Sequence, residues 1–233
     1  MKKYGKKYLE KKKLVKEENL PLKEAVSLAL ETSPTKFDAT VEVHANMNLD
    51  PKHADQNLRA TVSLPNGTGK EVKIAVFAEE AEAKKALAAG AHKAGEDDLI
   101  EEVSKGNIDF DAVVATPAIM KKMGKIAKIL GPKGLMPSPK AGSVTDDVTK
   151  AVEELKKGKL EYRCDKSGIV HVGIGKTSFG EEKILENLKS LLISINENKP
   201  SGVKGAYFKT ISITTSMGPG IRLDLSDALS SVK

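Results

Sequence analysis

Apolar and polar positions alternate along two stretches in the first third of the chain. In "KFDATVEVHANMNL", Ala39, Val41, Val43, Ala45, Met47 and Leu49 share one parity, and Asp38, Thr40, Glu42 and His44 the other. Successive strand residues point to opposite faces, so the pattern predicts a half-buried strand with one wet face. "NLRATVSLP" repeats it through Leu58, Ala60, Val62 and Leu64. Ahead of both, Leu22, Val26, Ala29 and Leu30 in "LPLKEAVSLALETS" lie on one helical face, and Pro21 suits a first helical position.

After "PNGTGK" the pattern changes. "VKIAVFA" and "FDAVVAT" are nearly continuous apolar runs, as in strands buried on both faces. Helical patterns alternate with them: Glu79 to Ala89, "DDLIEEVSKG", "AIMKKMGKIAKIL" and "TDDVTKAVEELKKG". Such alternation argues for a parallel α/β layer. At "KGKLEYRCDKSGIVHVGIG" the strand alternation returns, and "DKSG" is expected to turn an antiparallel hairpin. A capping box of Ser178 with Glu181 is expected to open a helix running through Ile184, Leu188, Leu191 and Ile195. "YFKTISITTSM" and "IRLDL" read as closing strands, joined by a type II turn with Pro219 at i+1 and Gly220 at i+2. The economical account is an α/β chain with a discontinuous first domain, 1–67 plus 159–233, and a second domain inserted at 70–157. The crossings near 66–70 and 156–159 would then form a hinge.

Charge is unevenly spread. The chain carries +6, but its first 16 residues hold eight Lys against one Glu, a charge of +7 that leaves −1 for the rest. The folded body is therefore close to neutral, and the basic tail reads as a phosphate-seeking arm. Arginine is confined to Arg59, Arg163 and Arg222, against 35 Lys. A nucleic-acid reader so poor in arginine leans on backbone and shape rather than on base edges. Cys164 is the one cysteine, so no disulfide framework exists, and the four His have no metal-ligand spacing. No Ser/His/Asp or Cys/His arrangement supports catalysis, and nothing calls for a cofactor. No apolar run approaches a membrane span and no secretory signal follows the N-terminal lysines, so a cytoplasmic address is expected.

Three motifs remain. "VHVGIGKTSFGEEK" looks like a phosphate loop between strand and helix, which would make the chain a nucleotide-binding α/β enzyme. The spacing requires Gly at position 170, where the chain has Val. "GPKG", Gly131 to Gly134, matches a G-x-x-G backbone clamp inside a lysine-rich, Pro/Gly-stiffened segment that includes Lys133 and Lys140. "TTSMGPG", Thr214 to Gly220, runs hydroxyls into a thioether and then a Gly-Pro-Gly. Hydroxyls suit ribose 2′-OH groups, and small residues admit a partner's backbone.

"KFDATVEV", "LPNGTGK", "ILGPKGLMPSPK", "KPSGVKGAY" and "SMGPGIRLDL" resemble, in order and spacing, the bacterial large-subunit ribosomal protein L-one family. The resemblance implies a first domain with a split β-α-β layer and a Rossmann-like three-layer insert. It implies binding of large-subunit (23S) rRNA at the mobile stalk, help in releasing tRNA from the exit site, and repression of the protein's own operon mRNA. It also implies a monomer when free, with no membrane partner. Carried over by motif, the RNA surface comprises Lys36, Phe37, Thr40, Thr210, Ser216, Met217 and Gly218, with Lys133, Lys140 and Lys166 as weaker contacts. The family commonly has Thr where Ser216 stands, and often Arg and Asn where Lys133 and Ser138 stand.

Overall fold

The structure, a computed structural model, describes residues 5–15, 18–203 and 205–230, without the side chains of Ala54 and Lys140. The outer parts of the basic tail, residues 1–4 and 16, lie outside the described residues. The chain falls into two compact units, Met1–Gly69 with Leu160–Lys233, and Lys70–Lys159. In chain order the elements begin with α1 (Lys6–Lys12), α2 (Leu22–Glu31), β1 (Thr40–Met47) and β2 (Arg59–Ser63). Then come β3 (Ile74–Phe77), α3 (Glu80–Ala88), β4 (Lys93–Gly95), α4 (Asp97–Ser104) and β5 (Ala112–Ala115). Short α5 (Pro117–Met120) and α6 (Ala127–Leu130) precede α7 (Val148–Lys156), β6 (Lys159–Arg163) and β7 (Ile169–Lys176). The chain closes with α8 (Gly180–Glu197), β8 (Phe208–Thr215), β9 (Ile221–Arg222) and α9 (Leu225–Ser230).

In the first unit β7, β1, β8 and β9 form an antiparallel sheet in that order. β1 is central, with Val43 opposite Val172 of β7 on one side and Ile213 of β8 on the other. Val41, Val43, Ala45 and Met47 are at most 1% exposed and face a core built with α2 and α8. Each of the larger side chains contributes about 1.5–3 kcal/mol on burial. Thr40, Glu42, His44 and Asn46 line the other, wetter face. α2 has no side-chain cap of its own at Pro21; Asp227 of α9 accepts from the Leu22 N–H at 2.7 Å instead. Asn187, fully buried in α8, accepts from the Asn66 N–H at 3.0 Å and donates to the Gly67 and Ile174 carbonyls. That clamp satisfies backbone groups of the 66–67 loop that packing alone would leave unpaired.

In the second unit β3 lies between β4 and β5 in a parallel sheet. Ile74, Val76 and Ala78 enter a cluster with Ala86 of α3 and Val148 and Val152 of α7. Ala75 and Phe77 enter another with Leu99 and Val103 of α4 and Met123 and Leu130. Both faces of β3 are covered, which is why its sequence is apolar without alternation. The result is a three-layer α/β unit. At the segments joining the units, Gly67, Gly69 and Gly158 have φ of 66°, 70° and 102°. A Cβ at Gly69 would also meet Lys176 Cγ at 2.8 Å and the Phe179 ring at 2.9 Å.

Several local expectations are corrected. β6 and β7 are not a hairpin: β6 pairs with β2, and only the bridge Cys164–Val170 survives beside the Asp165–Gly168 turn. Alternation specifies a face, not a neighbour, and the Cys164 N–H is taken by the Leu58 carbonyl at 2.9 Å. The capping box does not form. Ser178 bonds Asp38, and Glu181 accepts from the Ser27 hydroxyl at 2.6 Å. The segment expected as one helix over 118–130 is two short helices joined by a 3-10 turn over Lys122–Lys125. Ile119, Met123, Ile126 and Leu130 still bury one stripe, but Gly124 weakens a helix interior by about 1 kcal/mol relative to Ala. "IRLDL" is extended only at Ile221–Arg222.

Candidate nucleic-acid interface

One end of the antiparallel sheet gathers most of the sequence-predicted residues. β1 starts at Thr40, opposite Lys176 of β7, and its next residue Val41 lies opposite Thr215 of β8. The Ser216 N–H donates to the Thr40 carbonyl at 2.9 Å, and the Thr40 N–H donates to Ser216 Oγ at 3.2 Å. Lys176 Nζ donates to Thr40 Oγ1 at 2.8 Å. Thr40 and Ser216 therefore lock the β1 entry to the turn after β8, and both hydroxyls already have partners within the chain.

The turn is not the one expected from Gly-Pro-Gly. It spans Thr215 to Gly218, closed by the Gly218 N–H donating to the Thr215 carbonyl at 2.7 Å. Met217, at φ 66°, is the only non-glycine residue with positive φ among those described, while Gly218 and Gly220 have ordinary φ. A left-handed conformation costs an L-residue roughly 1–2 kcal/mol. Gly218 is required by space instead: a Cβ there would press on Thr215 Oγ1 and meet the Thr215 carbonyl oxygen at 3.1 Å. Thr215 itself is buried with an unpartnered hydroxyl, so it offers nothing to a ligand. Thr214 Oγ1 lies 3.2 Å from the Gly218 and Pro219 carbonyls and stiffens the loop. Met217 is 77% exposed and Phe37 61%, the largest values among the described large apolar side chains. Lys36 is exposed beside Phe37. The near end thus presents a ring and a thioether on a braced backbone, with Lys36 at the flank.

Next to it, the "GKTS" segment is already filled. The Asp38 carboxylate accepts from the Thr177 hydroxyl at 2.9 Å, the Ser178 N–H at 3.0 Å and the Ser178 hydroxyl at 2.8 Å. Those bonds, led by Ser178, hold Asp38 below the usual carboxylate range. A phosphate would seek the same donors and would meet a negative charge. Gly175 is a packing glycine, since a Cβ there would meet Ile184 Cδ1 at 2.7 Å.

The structure does not bring Thr210 or Lys166 to this corner. Thr210 pairs with Asn46 at the opposite end of β1, roughly 20 Å along β8 from Ser216 at ~3.3 Å per residue. Lys166 lies in the turn before β7, on an open cleft of about 680 Å³ shared with Arg59, Arg163 and His171. Arg59 is paired with Glu161 across the β2–β6 sheet. The middle of the wet face holds an arrangement that single-sequence reading missed. His44 and His171 are cross-strand partners, with Nδ1 atoms 2.8 Å apart, Glu42 near one ring and Asp165 near the other. One ring must donate and the other accept. Burial first, then His171, holds His44 below the ordinary histidine value, while Glu42 pulls it up.

In the second unit Lys133 is exposed on the 131–134 turn, where the Gly134 N–H donates to the Gly131 carbonyl at 3.0 Å and Gly134 takes φ 72°. Gly131 is the C-cap of α6, with φ of −57°. The Lys140 side chain lies outside the described residues. Among the described residues no three His, Cys, Asp or Glu side chains converge as metal ligands, and no helix is long and apolar enough to cross a membrane.

These features define a two-unit α/β protein with an exposed aromatic–thioether corner on a discontinuous unit. A family model described as the ribosomal protein L1p/L10e family matches residues 29–219. The large ribosomal subunit protein uL1c of Trieres chinensis is 53% identical over 205 residues, covering 88% of this chain and 89% of its own. The large ribosomal subunit protein uL1 of Prochlorococcus marinus (strain MIT 9312) is 49% identical over 226 residues, 97% of this chain and 96% of its own. The chain belongs to the ribosomal protein L1p/L10e family.

Proposed function

We propose that this chain is a non-catalytic component of the large ribosomal subunit that binds large-subunit rRNA through the near end of its antiparallel sheet. The observation that carries the reading is Met217: an apolar side chain held in a costly left-handed conformation and exposed at the end of the sheet that Phe37, also exposed, enters. Strain kept at an exposed residue gives the fold nothing and points to a ligand. Phe37 offers a face on which an unstacked base or ribose packs, and Lys36 attracts phosphate. The relatives are named as large-subunit ribosomal proteins and not as enzymes. At finer grain, we place the chain at the mobile stalk, on 23S rRNA, in a ribosome of the cytoplasm, assisting release of exit-site tRNA. The same corner then binds its own operon mRNA as a repressor, the messenger copying the rRNA shape.

The test is a binding titration of the purified chain against a transcribed stalk rRNA and against the operon leader. Met217→Ala and Phe37→Ala should each lose about 1–3 kcal/mol on both RNAs, the range for a buried apolar or stacking contact. Folded variants that bind both RNAs like the wild type would refute the site. Loss on rRNA alone would refute the shared-site account of repression.

A further inference from the structure

We infer that the groove between α1 and the β8–β9 loop is a second RNA contact, holding a backbone phosphate of the strand that passes over Met217. The inference rests on the RNA reading above and adds a ligand position to it. The groove is an open cleft of about 390 Å³, lined by Tyr8, Lys12, Glu18, Pro219, Gly220 and Arg222 among others. It lies on the opposite flank of the β8 turn from Thr40, because β8 runs between β1 and β9.

Three observations carry it. First, α1 is docked rather than loose. Lys11 Nζ donates to the Glu31 carbonyl at 2.8 Å, and Val15 packs against the first unit's core. Yet α1 buries no residue of its own, and Lys6, Lys7 and Lys12 are exposed. Second, the two cations in the groove are uncommitted. Among the described residues neither the Lys12 ammonium nor the Arg222 guanidinium has an ion pair or side-chain hydrogen bond, whereas Arg59 is held by Glu161. An open guanidinium fork matches the paired oxygens of a phosphodiester, and Lys12 adds a point charge. Third, the groove continues the wet face. Arg222 lies opposite Ser212, which lies opposite His44, so the three occupy one cross-strand row. A Cβ at Gly220 would meet nothing within 4 Å, so that wall is open to a close approach. Glu18 opposes the other two charges and leaves the groove with one net positive charge, suited to one phosphate.

The experiment is an anisotropy titration of a labelled stalk rRNA fragment with the full chain across a series of salt concentrations. Lys12→Gln and Arg222→Gln should each raise Kd about threefold to tenfold and reduce the slope of log K against log salt by roughly 0.7–0.9. Glu18→Gln should tighten binding. Lys7→Gln, on the same helix but outside the groove, should change Kd by less than about twofold. Thermal unfolding of each variant checks that the fold is kept. If Met217→Ala weakens binding while both groove variants stay within about twofold of wild type, the groove is refuted and the RNA reading stands. If Lys7→Gln costs as much as Lys12→Gln, α1 acts by bulk charge and the groove is again refuted. A wild-type chain that does not bind the fragment refutes both.

Discussion

The near end and the middle of one antiparallel sheet are built on different terms. At the near end, Thr40 and Ser216 spend their polar groups on each other, and the backbone so braced holds Met217 in a conformation it disfavours. Midway along the same face, His44, His171, Glu42 and Asp165 form a polar cluster in which no residue has a left-handed backbone. Both regions are wet, and only one is strained. Solvent exposure alone therefore does not mark the interface. What sets the near end apart is a left-handed backbone at an exposed apolar side chain.

The contrast can be broken most severely at Gly218. Gly218→Ala forces a methyl onto Thr215 and should cost about 1–3 kcal/mol of folding stability by denaturant titration, together with a loss of RNA affinity. A variant as stable as wild type would mean that the close approach at Thr215 is not a constraint. Met217→Gly separates the two terms. It should gain about 0.5–1 kcal/mol in stability by releasing the left-handed strain, while weakening RNA binding as Met217→Ala does. Equal or lower stability would show that the strain is not real. Thr210→Ala with Lys166→Gln tests the far end and should move RNA affinity by less than about 1 kcal/mol in all, the range of exposed polar contacts. A larger loss would extend the interface along the whole sheet.

The smallest effect is in pH. His44 is held neutral by burial and by His171, so the unfolded chain takes up the proton first. Its contribution to stability is complete above the ordinary histidine value, about 6.5, and is lost as pH falls through that region. The melting midpoint should decline slightly from about pH 7.5 to pH 5.5, and less so in His171→Gln. An identical decline in both proteins would assign it to other groups.

Much of this fold was legible because burial leaves a period in the chain. Ala39, Val41, Val43, Ala45, Met47 and Leu49, picked by alternation alone, are all buried, and so are Leu58, Ala60, Val62 and Leu64. The continuous runs of β3 and β5 likewise read as strands covered on both faces. What a period cannot carry is the identity of a neighbour. Adjacency in sequence points β6 to β7, yet its partner β2 lies about a hundred residues away, as in the Arg59–Glu161 pair. Asp38 and Ser178, 140 residues apart, undid the capping box in the same way. The corner was legible from its residue types and motif, but its strain was not. Gly-Pro-Gly promised the positive φ, and the structure assigns it to Met217, because Thr215 and Gly218 close the turn one step earlier.

The central place of β1 has a consequence during synthesis. β1 is complete at residue 47, but its neighbours β7 and β8 begin at residues 169 and 208. At ~5–20 residues per second, β1 waits roughly 6–25 s with both edges unpaired. The whole second unit, residues 70–159, is made in that interval and can fold behind it. A nascent chain therefore exposes a strand edge and an apolar face long before the proposed RNA corner, which joins Phe37 and Met217, is complete. On the proposed function, an incomplete product is a client for chaperones, not a competitor for the RNA.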